Sequence, residues 1–465
     1  MMHAFADGTI AAVSTPPGKG GVAIIRCSGE NAHEIARHVF RPMGSKTVDT
    51  LPMRYACYGH VIYQGAPIDD ALLTLFDAPH TYTGEPLFEI ACHGGILVTR
   101  TVLDAVLSAG ARMAKAGEFT RRAFLAGKLT LSDAEAIGDL LEAETVAEMR
   151  LSSVGARSAL SKKIAGITER LLHLVSSVYA MIDFPDEDLA ELSAEQIEEE
   201  LSLLKSELSE LAGSYATGRA ITDGVNTVIC GSPNVGKSSL YNALLGEECA
   251  IVTAKAGTTR DLLTATATAG RVKLRLTDTA GLRTEEETTD EIELIGIRRA
   301  EEKLSSSELV LAVFDASLPL SLQEKTLLTR LKSLRASVII LLNKSDLEEK
   351  ICLMREDFAD FEHVLSLSAM SGDVSALTSL IETLFTDGKL SLGEDAILLS
   401  ARQHAAAEKA LAYVQASLDA CRAGLSPDVA FQDLEHAIGA LGDLDGRNVT
   451  DALVDHIFHR FCVGK

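Results

Sequence analysis

The chain has 465 residues, enough for about three domains, with 47% hydrophobic residues and a formal net charge of −23. So acidic a protein is not a general nucleic-acid coater, because phosphate contacts need clustered Lys and Arg; any RNA contact must be local or made mainly by a partner. No apolar run reaches the ~18–20 residues of a membrane span, MMHAFADGTI lacks a secretory signal, and the eight Cys are scattered without CxxC pairs, so a cytoplasmic protein with reduced thiols and no membrane span is expected.

Residues 1–120 alternate short apolar runs with Gly/Pro turns. Val22–Arg26, Ala71–Phe76 and Leu87–Cys92 read as strands, which predicts a separate α+β domain. A helical segment follows over 121–218. Ser132-Asp-Ala-Glu135 has the form of a capping box, and the helical pattern stops at Phe184-Pro185, where proline breaks the ladder. Ser193-Ala-Glu-Gln196 opens another helix, in which Ile197, Leu201, Leu204, Leu208 and Leu211 form one apolar stripe. The basic pairs Arg121-Arg122, Lys162-Lys163 and Arg298-Arg299 read as solvated helix faces.

Residues 219–388 carry the chemistry. The run GSPNVGKS, Gly231 to Ser238, satisfies G-x-x-x-x-G-K-[ST], between a strand predicted at Val225–Cys230 and a helix predicted from Ser239 to Leu245. Backbone N–H groups of Asn234, Val235, Gly236, Lys237, Ser238 and Ser239 can cradle phosphates at a helix N-terminus. Lys237 adds a point charge toward the outer phosphates, and Ser238 can ligate Mg²⁺. Asp278-Thr-Ala-Gly281 closes the run Val272–Leu276; its Asp can hold Mg²⁺ through water and Gly281 can offer an N–H to the last phosphate. Asn343-Lys-Ser-Asp346 follows the strand Val338–Leu342. There Asp346 can accept both guanine N–H donors, a pair that adenine lacks. Ser368-Ala369 would meet the guanine O6 edge. These motifs, in this order, predict a GTP-binding G domain. Residues 389–465 return to a helical pattern from near Asp395 to the end. The predicted fold class is therefore multidomain α/β plus α, with a discontinuous helical domain and an inserted Ras-like P-loop G domain.

Leu282 occupies the position where Ras-like proteins place a water-orienting Gln. Hydrolysis must borrow another group or be absent. Glu285, Glu286, Glu287, Glu291 and Glu293 follow, and the sequence alone does not choose among them.

The whole chain resembles the MnmE (TrmE) family of tRNA-modification GTPases. The resemblance rests on Thr15-Pro-Pro-Gly-Lys-Gly-Gly21 with Ile25-Arg26, Thr83-Gly-Glu85, Glu89 with His93-Gly-Gly95, Gly117-Glu-Phe119 and Arg122-Ala-Phe124. It rests further on Gly257-Thr-Thr-Arg-Asp261, Asp278-Thr-Ala-Gly-Leu-Arg283 and the tail Phe461-Cys-Val-Gly-Lys465, where Val463 replaces the family's Ile. It implies an N-terminal folate-binding and dimerisation domain, and a homodimer. It also implies a heterotetramer with an FAD-dependent partner of the MnmG/GidA type. Such a pair modifies C5 of the wobble uridine of certain tRNAs with an aminomethyl or carboxymethylaminomethyl group. The reaction is GTP hydrolysis, an acid-anhydride hydrolysis, coupled to a one-carbon unit of 5-formyltetrahydrofolate or a related folate.

By the same resemblance, folate contacts fall on Arg26, Glu89, Lys128 and Lys465. Mg²⁺ ligands fall on Ser238, Thr259 and Asp278, and K⁺ ligands on Asn234, Thr253, Lys255 and Thr258. Thr258, Lys344 and Asn343 join the GTP contacts. Lys237 and Glu293 are the catalytic candidates; a short insertion around Thr284–Thr289 leaves Glu291 as the alternative to Glu293. Cys462 can be a nucleophile toward uracil C6 or a buried structural thiol, and the second reading is preferred. His456, His459 and Cys462 share one helical arc but lack a completing metal ligand. The rival class is a ribosome-assembly or signalling switch GTPase, which accounts for the nucleotide motifs but not for the N-terminal block or the tail.

Overall fold

The computed structural model describes residues 8–183, 193–246, 264–278, 304–347, 357–386, 395–446, 457–459, 461 and 464. The chain divides into two compact units, Met1–Leu141 with Gly439–Lys465, and Glu142–Ile438.

The first unit is built on strands β1 (Ile10–Val13), β2 (Val22–Ser28), β3 (Phe40–Pro42), β4 (Cys57–Tyr63), β5 (Ala66–Phe76), β6 (Leu87–His93) and β7 (Arg112–Met113), in the order β3-β4-β5-β6-β2-β1-β7. Residues two apart share a face. Ala23, Ile25 and Cys27 of β2, Leu73 and Leu75 of β5, and Phe88, Ile90 and Cys92 of β6 turn to the core. Helices α1 (Ala32–Val39) and α2 (Ile96–Ser108) cover that face with Ile35, Val102 and Val106. Alternate positions, including Arg26 and Glu89, therefore belong to the opposite face.

Helix α3 (Glu118–Leu125) overturns one expectation: Arg122 is 6% exposed, not a solvated surface cation. Its guanidinium donates to Glu85 Oε1 and Oε2 at 3.0 and 2.9 Å, to Glu118 Oε1 at 3.1 Å and to the Gly8 carbonyl at 3.0 Å. Glu118 also accepts from Arg112 at 2.9 Å and from the Lys115 N–H at 2.9 Å. Burial works to raise the Glu118 pKa. The Arg112 and Lys115 hydrogen bonds, the Arg112 charge and the Arg122 hydrogen bond outweigh it and hold the carboxyl at about 2, against an ordinary 4.5. A depressed carboxyl stabilises the fold above its unfolded pKa, and that contribution disappears as pH falls from about 4.5 through about 2. We expect Glu118→Gln to lose on the order of 2–3 kcal/mol of stability at neutral pH, with the gap from the parent protein closing below about pH 3. Thermal melts across this range check it; a gap independent of pH would contradict it.

Helix α4 (Leu131–Glu142) moves the expected capping box by two residues. Thr130 and Asp133 cap each other, with Thr130 N–H donating to Asp133 Oδ2 at 2.9 Å and Asp133 N–H donating to Thr130 Oγ1 at 3.1 Å. Ser132 is inside the helix, and its hydroxyl donates to the Leu444 carbonyl at 3.0 Å. Leu131 and Ala134 form an apolar cluster with Phe458 and Phe461.

The second unit contains α5 (Val146–Leu151), α6 (Val154–Asp183), α7 (Ala194–Thr222) and a six-stranded sheet. The capping box of Ser193 and Gln196 opens α7, and Leu201, Leu204, Leu208 and Leu211 are buried as the stripe predicts. The strands are β8 (Val225–Cys230), β9 (Thr264–Ala269), β10 (Val272–Asp278), β11 (Leu309–Asp315), β12 (Ser337–Asn343) and β13 (His363–Ser366), ordered β13-β12-β11-β8-β10-β9. All neighbours are parallel except the β9–β10 hairpin. Parallel strands are buried on both faces and read as continuous apolar runs. In β11, Leu309, Leu311 and Val313 enter one core, and Val310, Ala312 and Phe314 the other.

Helices α8 (Lys237–Gly246), α9 (Leu322–Leu331) and α10 (Ser375–Phe385) accompany the sheet, and α11 (Ala401–Arg422) and α12 (Pro427–Asp445) follow it. The last helical stretch starts later than its pattern suggests. Residues 395–400 are irregular, and a capping box of Ser400 with Gln403 opens α11. Helix α7 packs antiparallel on α11: the Leu398 N–H donates to Ser214 Oγ, Tyr215 stacks on His404 at 4.6 Å, and Arg422 pairs with Glu198 at 2.7 Å. Helices that precede and follow the sheet in sequence thus pack on one another. Among the described residues, no helix is long and apolar enough to cross a membrane.

Candidate functional site

In the second unit, strand β8 ends at Cys230 and the chain turns through Gly231–Gly236 into α8. Two glycines permit the turn. Gly231 has φ +142°, and a Cβ there would lie 2.2 Å from the Val313 carbonyl oxygen. Gly236 has φ +101°, and its Cβ would lie 2.1 Å from Asn343 Nδ2. Side chains rarely adopt such backbone, and neither position has room for one. Asn234 holds φ +62° and is exposed, Val235 is buried, and Ser238 is exposed on the first turn of α8. Lys237 Nζ donates to the Gly231 and Ser232 carbonyls at 3.0 and 2.7 Å. The lysine thus folds over the loop whose N–H groups would meet phosphate.

Asn343 joins this loop to the other predicted segments. It is 3% exposed, donates from Nδ2 to the Val235 carbonyl at 2.7 Å, and accepts the Ala369 N–H at Oδ1 at 2.8 Å. One side-chain amide therefore fixes the phosphate loop against the Ser368-Ala369 loop. The Ser345 N–H donates to the Leu367 carbonyl at 3.2 Å, and Asp346 is exposed beside it. Asp278 pairs in parallel register with Ile229. All these segments lie at the carboxyl ends of parallel strands, where open α/β sheets bind ligands. The hydroxyl of Ser238 and the amide oxygen of Asn234 are hard donors that suit Mg²⁺ and K⁺.

Sequence reasoning missed Asp315, the last residue of β11. It is 7% exposed and accepts Lys344 Nζ at 2.6 Å. An acidic residue closing an otherwise apolar strand was the available signal.

In the first unit, antiparallel register sets Arg26 opposite Glu89, and Arg26 Nε donates to Glu89 Oε1 at 2.8 Å. The guanidinium lies 5.7 Å from the Tyr82 ring centroid and 5.8 Å from that of Phe119. Lys128 is exposed, with its stem against Gly84. The tail is docked nearby. Arg26 faces Ala12 across β1, and Gly464 abuts the next residue, Val13, whose carbonyl would be 2.2 Å from an added Cβ. Ser14 Oγ donates to the Gly464 carbonyl at 3.0 Å, and Phe461 is buried. Arg26, Glu89 and the half-buried Tyr82 ring suit a flat, hydrogen-bonding ligand with an anionic tail, the chemistry of a folate, while Phe119, 0% exposed, backs the guanidinium from the core.

Glu293, Glu291, Leu282, Gly281, Thr253, Lys255, Thr258, Thr259, Arg298, Arg299, His456, Cys462 and Lys465 lie outside the described residues.

The loop, its lysine and the joined guanine segments define a P-loop protein of the G-domain class. Residues 131–462 match the MnmE helical domain family and residues 9–128 the GTP-binding protein TrmE N-terminus family. The chain is 35% identical over 466 residues to the tRNA modification GTPase MnmE of Clostridioides difficile (strain 630), covering 99% of this chain and 100% of that one. It is 40% identical over 470 residues to the protein of that name from Heliobacterium modesticaldum (strain ATCC 51547 / Ice1), covering 98% and 99%. The chain belongs to the MnmE (TrmE) family of tRNA-modification GTPases. Likeness to solved structures is slight: the crystal structure of Aquifex aeolicus Era bound to GDP.AlF4- shares 24% identity over 41% of this chain and 66% of that one, at a TM-score of 0.29.

Proposed function

We propose that the protein is a K⁺-dependent GTP hydrolase that, with an FAD-dependent MnmG/GidA-type partner, modifies C5 of the wobble uridine of certain tRNAs using a folate one-carbon unit. The observation that carries this reading is the Asn343 bridge, which ties the phosphate loop to the Ser368-Ala369 loop expected to meet guanine. Asp346 accepts hydrogen bonds from guanine N1–H and N2–H. The α8 N-terminus and Lys237 hold the β- and γ-phosphates. Ser238, Thr259 and Asp278 would hold Mg²⁺, and Asn234, Thr253, Lys255 and Thr258 would hold K⁺. Bound there, K⁺ would supply the positive charge that an arginine finger supplies in other GTPases. Glu293 orients the attacking water, a task Leu282 cannot perform. In the first unit Arg26, Glu89, Lys128 and Lys465 would bind the folate, and Cys462 would be a structural thiol rather than a nucleophile toward uracil C6. The protein acts in the cytoplasm as a homodimer through its N-terminal domains, within a heterotetramer, and tRNA is its substrate. A G domain over 219–388, inserted between helical parts at 121–218 and 389–465, could pass its nucleotide state to them mechanically.

Nucleoside analysis of tRNA from a deletion strain tests the reading: the C5 modification should vanish and return with the intact gene. GTP turnover should be at least about tenfold faster in K⁺ than in Na⁺ at matched ionic strength, since an oxygen cage selects by radius and ligand number. Equal turnover in the two salts would remove the K⁺ site. Glu293→Ala should lower kcat by about 10²-fold or more and leave GTP affinity nearly unchanged, because orienting water acts on the chemical step. Damage from Glu291→Ala instead would move that role across the insertion.

A further inference from the structure

We propose that Asp315 is a positioning residue for guanine recognition, acting on Asp346 through Lys344; this rests on the guanine reading of Asp346 above. Strand β11 ends at Asp315 in register with Asn343, the last residue of β12. The Ala316 N–H donates to the Asn343 carbonyl at 2.9 Å, so the two strand ends are zipped together. Each carboxylate oxygen of Asp315 then has a separate task. Oδ1 accepts the Ser317 N–H at 3.0 Å and the Ser317 hydroxyl at 2.6 Å, which fixes the carboxylate plane. Oδ2 accepts Lys344 Nζ at 2.6 Å. Lys344 stands at φ +65°, a left-handed conformation that a non-glycine residue keeps only where its surroundings impose it. The buried carboxylate supplies that constraint from one side, and Asn343, tied to Val235 and Ala369, supplies it from the other. The turn held in this way carries Asp346, two residues on, at an exposed position. Burial alone would raise the Asp315 pKa. The hydrogen bonds from Lys344 and Ser317 and the Lys344 charge reverse that, so the group stays ionised and keeps its grip on the lysine.

The positioning role differs from a general structural one in what it protects. Loss of the ion pair should misplace Asp346 relative to the guanine 2-amino group, while the phosphate loop and the water-orienting machinery keep their places. The test measures KM and kcat for GTP and for ITP, which lacks the 2-amino group, on the full chain in K⁺ buffer. The parent protein should prefer GTP, and Asp346→Ala should abolish the preference. Asp315→Asn should raise the KM for GTP about tenfold and that for ITP, which keeps only the N1–H donor, by a smaller factor, with kcat for GTP within about twofold. Lys344→Gln should compress the preference too, with an added rise in the KM for both nucleotides because Lys344 is itself among the proposed GTP contacts, and Asp315→Ser provides the readout if Asp315→Asn fails to fold. Combining the two substitutions should add little, since both remove one ion pair. A preference retained in Asp315→Asn and Lys344→Gln would overturn the positioning role alone. No preference in the parent protein, or a preference surviving Asp346→Ala, would overturn the guanine reading on which it rests.

Discussion

Gly236→Ala is expected to weaken GTP and GDP binding by about 10²-fold or more. Two costs add at this position. The backbone sits at φ +101°, where an alanine is strained, and the new Cβ would lie 2.1 Å from Asn343 Nδ2. The amide cannot retreat freely, because it is buried and bonded both to the Val235 carbonyl and to the Ala369 N–H. Moving it would release the phosphate loop and the guanine loop together. Leaving either partner unsatisfied costs about 1–3 kcal/mol on top of the steric term. Gly246→Ala is the matched control, since that glycine is exposed and no described residue lies within 4 Å of a Cβ there. Titration with a fluorescent GDP analogue, beside melting curves for both variants, checks the expectation. Affinity of Gly236→Ala within threefold of the parent would contradict it.

What the sequence made legible was what is local. Strand β8, the loop and α8 were readable because the motif and the apolar run that precedes it are contiguous. The N-terminus of α7 was readable because Ser193 and Gln196 are three positions apart and cap each other directly. The start of α4 was not, because Thr130-x-x-Asp133 and Ser132-x-x-Glu135 overlap and both have the form of a box. The choice was made by the Leu444 carbonyl, which takes the Ser132 hydroxyl from 312 positions away. Arg122 looked like half of a surface pair for the same reason. Its partners Glu85, just before β6, and the Gly8 carbonyl, just before β1, are distant in sequence and become its neighbours only when those strands and α3 assemble. In the nucleotide site, the motif residues were legible and Asp315 was not. Its importance comes from register with the next strand, which apolar periodicity does not encode.

Removing Phe461–Lys465 is expected to abolish both folate binding and tRNA modification while leaving GTP turnover close to that of the full chain. A chain end is ordinarily frayed. Here Phe461 is 7% exposed, with its ring 5.6 Å from that of Phe458, and Gly117 leaves no room for a side chain beneath them. Gly464 at φ +104° presses on the Val13 carbonyl and accepts the Ser14 hydroxyl. This places the tail one strand away from Arg26, on the sheet that carries Glu89. The nucleotide site belongs to the other unit and uses none of these residues. Deletion also strips an aromatic ring from the cluster with Leu131 and Ala134, so lost binding could come from a loosened core. Gly464→Ala separates the two causes. It keeps Phe461 and every other tail residue, but its Cβ would lie 2.2 Å from the Val13 carbonyl oxygen, so the tail must lift where it meets β1. Calorimetry with 5-formyltetrahydrofolate should show affinity at least about tenfold weaker for Gly464→Ala, with a melting temperature near the parent's, and none for the deletion. Undiminished affinity in both would return the tail to a packing role and place the folate, if it binds, elsewhere on the protein.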